Sequence, residues 1–222
     1  MTRHHSEANF KPTFLTRISM KKIIINIGRQ YGSGGKQVAM EIGRKLGIDV
    51  YDHEILLKSA EKSGFSQDFF EKKDEKKSFF NLSTVFSSQT FGNSQNYIED
   101  DALFRIQSSV ITDIASRGSA VIVGRCADYI LRDCDFTLDV FVTAPEKIRC
   151  ERVSERMNIT LEKAAEKILK EDKERENYYN YFTFGHWGVA SNYDLCVDSS
   201  ILGIEGTADY IIDFARRGGL IK

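Results

Sequence analysis

Apolar positions along this chain switch repeatedly between continuous runs and a helical period. Ile23, Ile24, Ile25, Asn26 and Ile27 form a β-branched run of the kind that fills a buried parallel strand. A glycine-rich turn follows over 28–35, after which Val38, Ile42 and Leu46 recur at helical spacing and Gly47 stops the helix. Residues 48–51 read as a short strand, and Asp52 is placed to cap a helix over 54–60. Further along, the pattern predicts a helix over 99–116 ended by Gly118, and strands at 120–123, 136–142 and 193–197. Charged helices are predicted over 145–157 and 161–181, with a last helix from near Glu205. Strands alternating with helices predict an α/β fold in which a parallel sheet is covered on both faces.

Two stretches break this rhythm. Residues 1–20 are polar and aperiodic and read as a flexible N-terminal extension, with Met20 directly before the first apolar run as a candidate start. Residues 62–100 alternate Lys and Glu and then turn rich in Ser, Phe, Asn and Gln; they read as a partly helical insertion in which Phe79, Phe80, Phe86 and Phe91 need cover. The remainder, 21–222, is expected to be a single domain.

Composition narrows the function classes. Of 222 residues, 31 are Lys or Arg and 32 Asp or Glu, a net charge of −1, so no global basic field points to nucleic acid or an anionic membrane. No run of about 18 apolar residues and no basic region followed by an apolar core suggests a membrane span or secretion signal. Cys126, Cys134, Cys150 and Cys196 show no C-x-x-C pairing, so reduced thiols and a cytoplasmic location are expected. Any anion binding must come from local clusters.

The turn is the richest chemical signal. In IIINIGRQYGSGGKQVAMEIG a buried strand runs through glycines and a lysine into a helix. Glycines let backbone N–H groups curl around an anion, the helix start adds partial positive charge, and Lys36 adds a full one. Gly32, Ser33, Gly34, Gly35, Lys36 and Gln37 are therefore the candidate phosphate cradle. Against G-x-x-x-x-G-K-[ST] the match is incomplete in either register. Counting from Gly35-Lys36 puts Gln30 at the first glycine and Gln37 at the hydroxyl. Centring on Gly32-Ser33-Gly34 puts Gly35 in the lysine slot. Ser33 is the candidate hydroxyl for a magnesium ion carried by ATP. A dinucleotide fingerprint is the rival, with Asp52 as its acid, but position 37 is Gln where the third glycine belongs.

Three later segments add arginines. Val121-Ile122-Val123-Gly124-Arg125 sets an arginine at the carboxyl end of a strand, where open α/β sheets bind ligands. Arg149, Arg152 and Arg156 share one face of the helix that starts at Pro145, which taken alone also fits a solvated basic face. Lys170 to Arg175 precede Tyr178, Tyr179 and Tyr181, then Asn192-Tyr193-Asp194-Leu195 and Asp198-Ser199-Ser200.

In this order the segments resemble the cytidylate kinase-like family of P-loop nucleoside monophosphate kinases, over about residues 22–214. The resemblance implies a three-layer P-loop NTPase fold with a five-stranded parallel sheet, an acceptor-binding segment with an insertion over 52–100, and lid helices over 145–186. It implies ATP-dependent phosphoryl transfer with Mg²⁺ to CMP or dCMP. Asp52, Arg125, Asp172 and Arg175 would bind the acceptor; Lys36, Arg125, Arg152, Arg156 and Arg175 would neutralise the moving phosphoryl; Asp172 would orient Arg175 or the acceptor sugar. The four histidines are not needed, since a phosphate nucleophile is already ionised. A non-catalytic nucleotide-binding or regulatory protein of this fold, or a kinase for another small acceptor, stays open. No N-K-x-D motif supports a GTPase, and only small-molecule nucleotides are expected as partners.

Overall fold

The computed structural model describes residues 22–52 and 97–221. The predicted helix over 54–60, nearly all of the insertion and the N-terminal extension lie outside these residues. Five strands, β1 (Ile24–Arg29), β2 (Asp49–Tyr51), β3 (Ala120–Val123), β4 (Thr137–Thr143) and β5 (Leu195–Asp198), form one parallel sheet in the order β2-β3-β1-β4-β5. The central strand β1 pairs with β3 on one side and β4 on the other. Its two faces are both covered, which is why its sequence is a continuous apolar run rather than an alternation.

Ile23, Ile25 and Ile27 pack against α1 (Gly35–Leu46) and the C-terminal helix α6 (Ser199–Arg217), whereas Ile24 packs on the opposite face with α2 (Tyr97–Arg117) and the short α3 (Ala127–Ile130). Helices on both faces of a parallel sheet make the expected three-layer α/β fold. The predicted charged helices are α4 (Glu146–Met157) and α5 (Leu161–Thr183), joined through Asn158, a left-handed cap, and Thr160, whose hydroxyl accepts from the Lys163 amide. They pack on each other through Cys150, Val153, Ala164 and Ile168, with Tyr31 of the glycine turn set against this small core. An aromatic cluster of Tyr178, Tyr179 and Phe182 ties α5 to Phe104, Tyr129 and Trp187.

The last helix differs from expectation. It begins at Ser199, not near Glu205, because Asp198 caps it by accepting from the Ser200 amide. Gly203, at φ 67°, breaks the helical path four residues later. That break hid the first turn from a search for helical periodicity.

Candidate active site

The glycine turn closes on Gly34, which is left-handed at φ 82°, and α1 starts at Gly35. This resolves the register: the residue after the closing glycine is Gly35, so the lysine slot holds no side chain. Gly32 is also left-handed, and a Cβ there would fall 2.9 Å from the Arg149 carbonyl oxygen. Side chains are thus excluded by backbone conformation and by contact with α4. Among the described residues the amides of Gly32, Gly34, Lys36 and Gln37 find no acceptor. The last two belong to the first turn of α1, where the helix itself supplies none. Open amides at a helix start are the physical requirement for anion binding.

Ser33 does not fit the magnesium role expected of it. Its side chain is fully buried, donating to the Gln30 carbonyl at 2.8 Å and accepting from the Gly35 amide, so the hydroxyl holds the turn together. No group of three or more His, Cys, Asp or Glu gathers among the described residues to replace it. Lys36 is mostly exposed and its ammonium lies 2.6 Å from Asp52, so two residues assigned to opposite ends of the reaction pair with each other.

The lid arginines divide into separate roles. Arg149 is no solvated charge: it is 8% exposed and pairs with Asp172 at 2.5 Å. Asp172 also accepts from the Tyr31 amide at 2.6 Å, while Arg149 donates to the Tyr31 carbonyl at 3.1 Å. Asp172 therefore clamps the glycine turn, and among the described residues it makes no hydrogen bond to Arg175. Arg152 donates to the Ser33 carbonyl and to Ser199 Oγ, stapling the turn to the start of α6. Arg156 is exposed and lies 5.3 Å over the Tyr31 ring. Neither Arg152 nor Arg156 is brought to the central cavity; Arg175 is, and it donates to the Arg29 carbonyl at 3.0 Å.

That cavity, of about 90 Å³, opens at the carboxyl ends of β1 and β3 under α5. Three guanidiniums line it: Arg29, Arg125 and Arg175. None forms an ion pair with a carboxylate among the described residues. Burial, then Arg175 and Arg125, depress the Arg29 pKa well below its ordinary value, and burial depresses that of Arg175. An arginine keeps its proton, so this crowding is a free-energy cost that a bound anion relieves. Gly124, Arg125 and Cys126 are successive left-handed residues at φ 75°, 59° and 55°. Two of them carry side chains that disfavour this conformation, which costs about 1–2 kcal/mol per residue. The turn that carries Arg125 to the cavity is therefore held under strain.

The floor is polar and under-satisfied. Asn26 is buried in β1 and donates to Asp139 at 2.7 Å, but its carbonyl oxygen has no partner. Asp128 accepts from the Tyr179 hydroxyl at 2.8 Å, and burial raises its pKa. Burial also raises Asp139, to about 6, against the hydrogen bond from Asn26 and with help from Asp128 and Asp194. At Asp139 the folded protein therefore binds more protons than the unfolded chain between about pH 4 and 6, and this group's contribution to stability falls as pH rises through that window. Asp139→Asn keeps an acceptor for Asn26 and removes the charge. It is expected to raise stability at pH 7.5 by about 1–2 kcal/mol, allowing for partial exposure, and to flatten the melting temperature between pH 4 and 6.5. An unchanged pH profile in thermal melts would refute this.

Sequence reading missed Arg29, Tyr31 and Asn26. Asn26 stood out as the one polar residue in an apolar run, and Arg29 as a charge at a strand end; neither signal carries chemistry until the sheet places both in one cavity.

A family model described as the cytidylate kinase-like family matches residues 24–201. The chain belongs to that family. Cytidylate kinase of Aeropyrum pernix is 30% identical over 151 residues, spanning 64% of this chain and 87% of the relative. Cytidylate kinase of Pyrococcus horikoshii is 27% identical over 191 residues, covering 83% and 84%. Among solved structures, an uncharacterised protein from Eubacterium ventriosum superposes with a TM-score of 0.65 at 26% identity, covering 87% of this chain and 98% of its own. Membership of the cytidylate kinase-like family supports nucleotide kinase activity. No helix among the described residues is long and apolar enough to cross a membrane, and all four cysteines are free thiols.

Proposed function

We propose that this protein transfers the terminal phosphoryl group of ATP, supplied with Mg²⁺, to a nucleoside monophosphate, with CMP or dCMP as the acceptor and the cytoplasm as its setting. One observation carries the reading: a glycine turn with open amides adjoins a cavity ringed by Arg29, Arg125 and Arg175. The turn takes the polyphosphate of the donor and the Arg125–Arg175 side of the ring takes the acceptor phosphate, so the reacting groups meet between them. Such transfer needs alignment, exclusion of water and neutralised charge rather than a covalent partner. Magnesium would travel on the phosphate oxygens of ATP; the Ser33 hydroxyl, engaged within the turn, does not fit as its ligand. Arg125 and Arg175 hold the acceptor phosphate in this scheme, and the Asp172–Arg149 clamp keeps the turn in shape.

The spent Ser33 hydroxyl favours a second reading, a nucleotide binder without turnover. A panel of nucleoside monophosphates and small alcohols, assayed with ATP with and without Mg²⁺, separates the two. Phosphorylated CMP or dCMP is the expected product. Metal-independent ATP binding without any product would establish the binder, and another acceptor would reassign the substrate.

A further inference from the structure

In the register set by the structure, the customary G-x-x-x-x-G-K becomes Arg29-x-x-x-x-Gly34-Gly35. The first glycine has become a cation and the lysine has become a glycine. The geometry shows these two changes to be one. A Cβ built on Gly35 falls 2.6 Å from Arg29 Cβ and 3.0 Å from its Cγ, so side chains at both positions cannot coexist. At the other end, a Cβ on Gly124 falls 2.0 Å from Arg29 Nη1. The Arg29 side chain thus runs from the start of α1 to the left-handed turn that carries Arg125, through space that two glycines leave empty. Lys36, the cation singled out from sequence, pairs with Asp52 and does not line the cavity.

We propose that Arg29 is the phosphate-gripping cation of this site, standing in from the end of β1 for the lysine absent at position 35, and that it contacts the phosphoryl group between donor and acceptor. The inference rests on the phosphoryl-transfer reading for its kinetic arm only. A fork of donors suits this position better than an ammonium, because one guanidinium can bridge oxygens on two phosphates.

The test exchanges the two positions back. Arg29→Gly is expected to lower kcat by about 10²–10³-fold, with the KM for the acceptor changed far less, and to abolish the preference for ATP over ADP that calorimetry is expected to show for the wild type. The double variant Arg29→Gly/Gly35→Lys restores the customary arrangement and is expected to recover at least about tenfold of the loss in kcat or, failing turnover, the ATP preference. A purely structural Arg29 predicts no such recovery. Thermal melts without nucleotide verify that each variant is folded; should Arg29→Gly unfold, Arg29→Lys, expected to keep a measurable ATP preference, replaces it. The proposal is overturned if Arg29→Gly stays within tenfold of wild type in turnover and keeps its ATP preference, or if the double variant recovers neither. Wild type that binds ATP without transferring phosphate defeats the kinase reading while leaving the binding arm to judge Arg29. Wild type that binds no nucleotide defeats both.

Discussion

Arg125→Ala is expected to reduce phosphoryl transfer by about 10²–10³-fold, the loss typical of one preorganised charge, while the protein stays folded. The side chain lines the cavity, packs 5.3 Å from the Tyr178 ring and makes no ion pair among the described residues, so its removal breaks no buried charge pair. Removing it also relieves crowding on Arg29, whose pKa it helps to depress. Alanine still pays the left-handed backbone cost at this position, so stability should change by less than about 1 kcal/mol in either direction. Initial rates with CMP, read beside thermal melts, check both halves. Activity within tenfold of wild type would remove Arg125 from the reaction, and an unfolded variant would make it a structural residue.

Asp172→Ala should do the opposite, acting first on stability. Arg149 is 8% exposed, its Nε already lacks a partner, and Asp172 is its ion-pair acceptor. Stripping one partner from a buried pair leaves an uncompensated charge and costs about 3 kcal/mol, or about 6–12 °C in melting temperature for a domain of this size. The same change frees the Tyr31 amide and loosens the glycine turn, so affinity for ATP should fall along with stability. Replacing both partners, as in Arg149→Met/Asp172→Leu, should recover much of the melting temperature without restoring ATP affinity. A single variant that melts with wild type would show that the clamp carries no load.

These two residues also show how far the sequence could be read. The family resemblance pairs Asp172 with Arg175, three residues apart on one helix, yet the structure sends Asp172 to Tyr31 and Arg149, and Arg175 to the Arg29 carbonyl. Helical spacing says which side chains share a face; it does not say what that face meets. Arg149, Arg152 and Arg156 do share one, but α5 and the glycine turn bury the first, α6 engages the second and solvent keeps the third.

Periodicity and glycine placement determined the order of the strands and longer helices among the described residues, the covered parallel sheet and the glycine turn, because those follow from backbone conformation and from which positions must leave water, and both are written locally. The register of the turn, the exchange of Arg29 with Gly35 and the sorting of the arginines were decided only by tertiary packing. Arg29, Arg125 and Arg175 come from three segments far apart in the chain. A guanidinium acquires a role from the distances and burial around it, and those exist only once β1, β3 and α5 have come together.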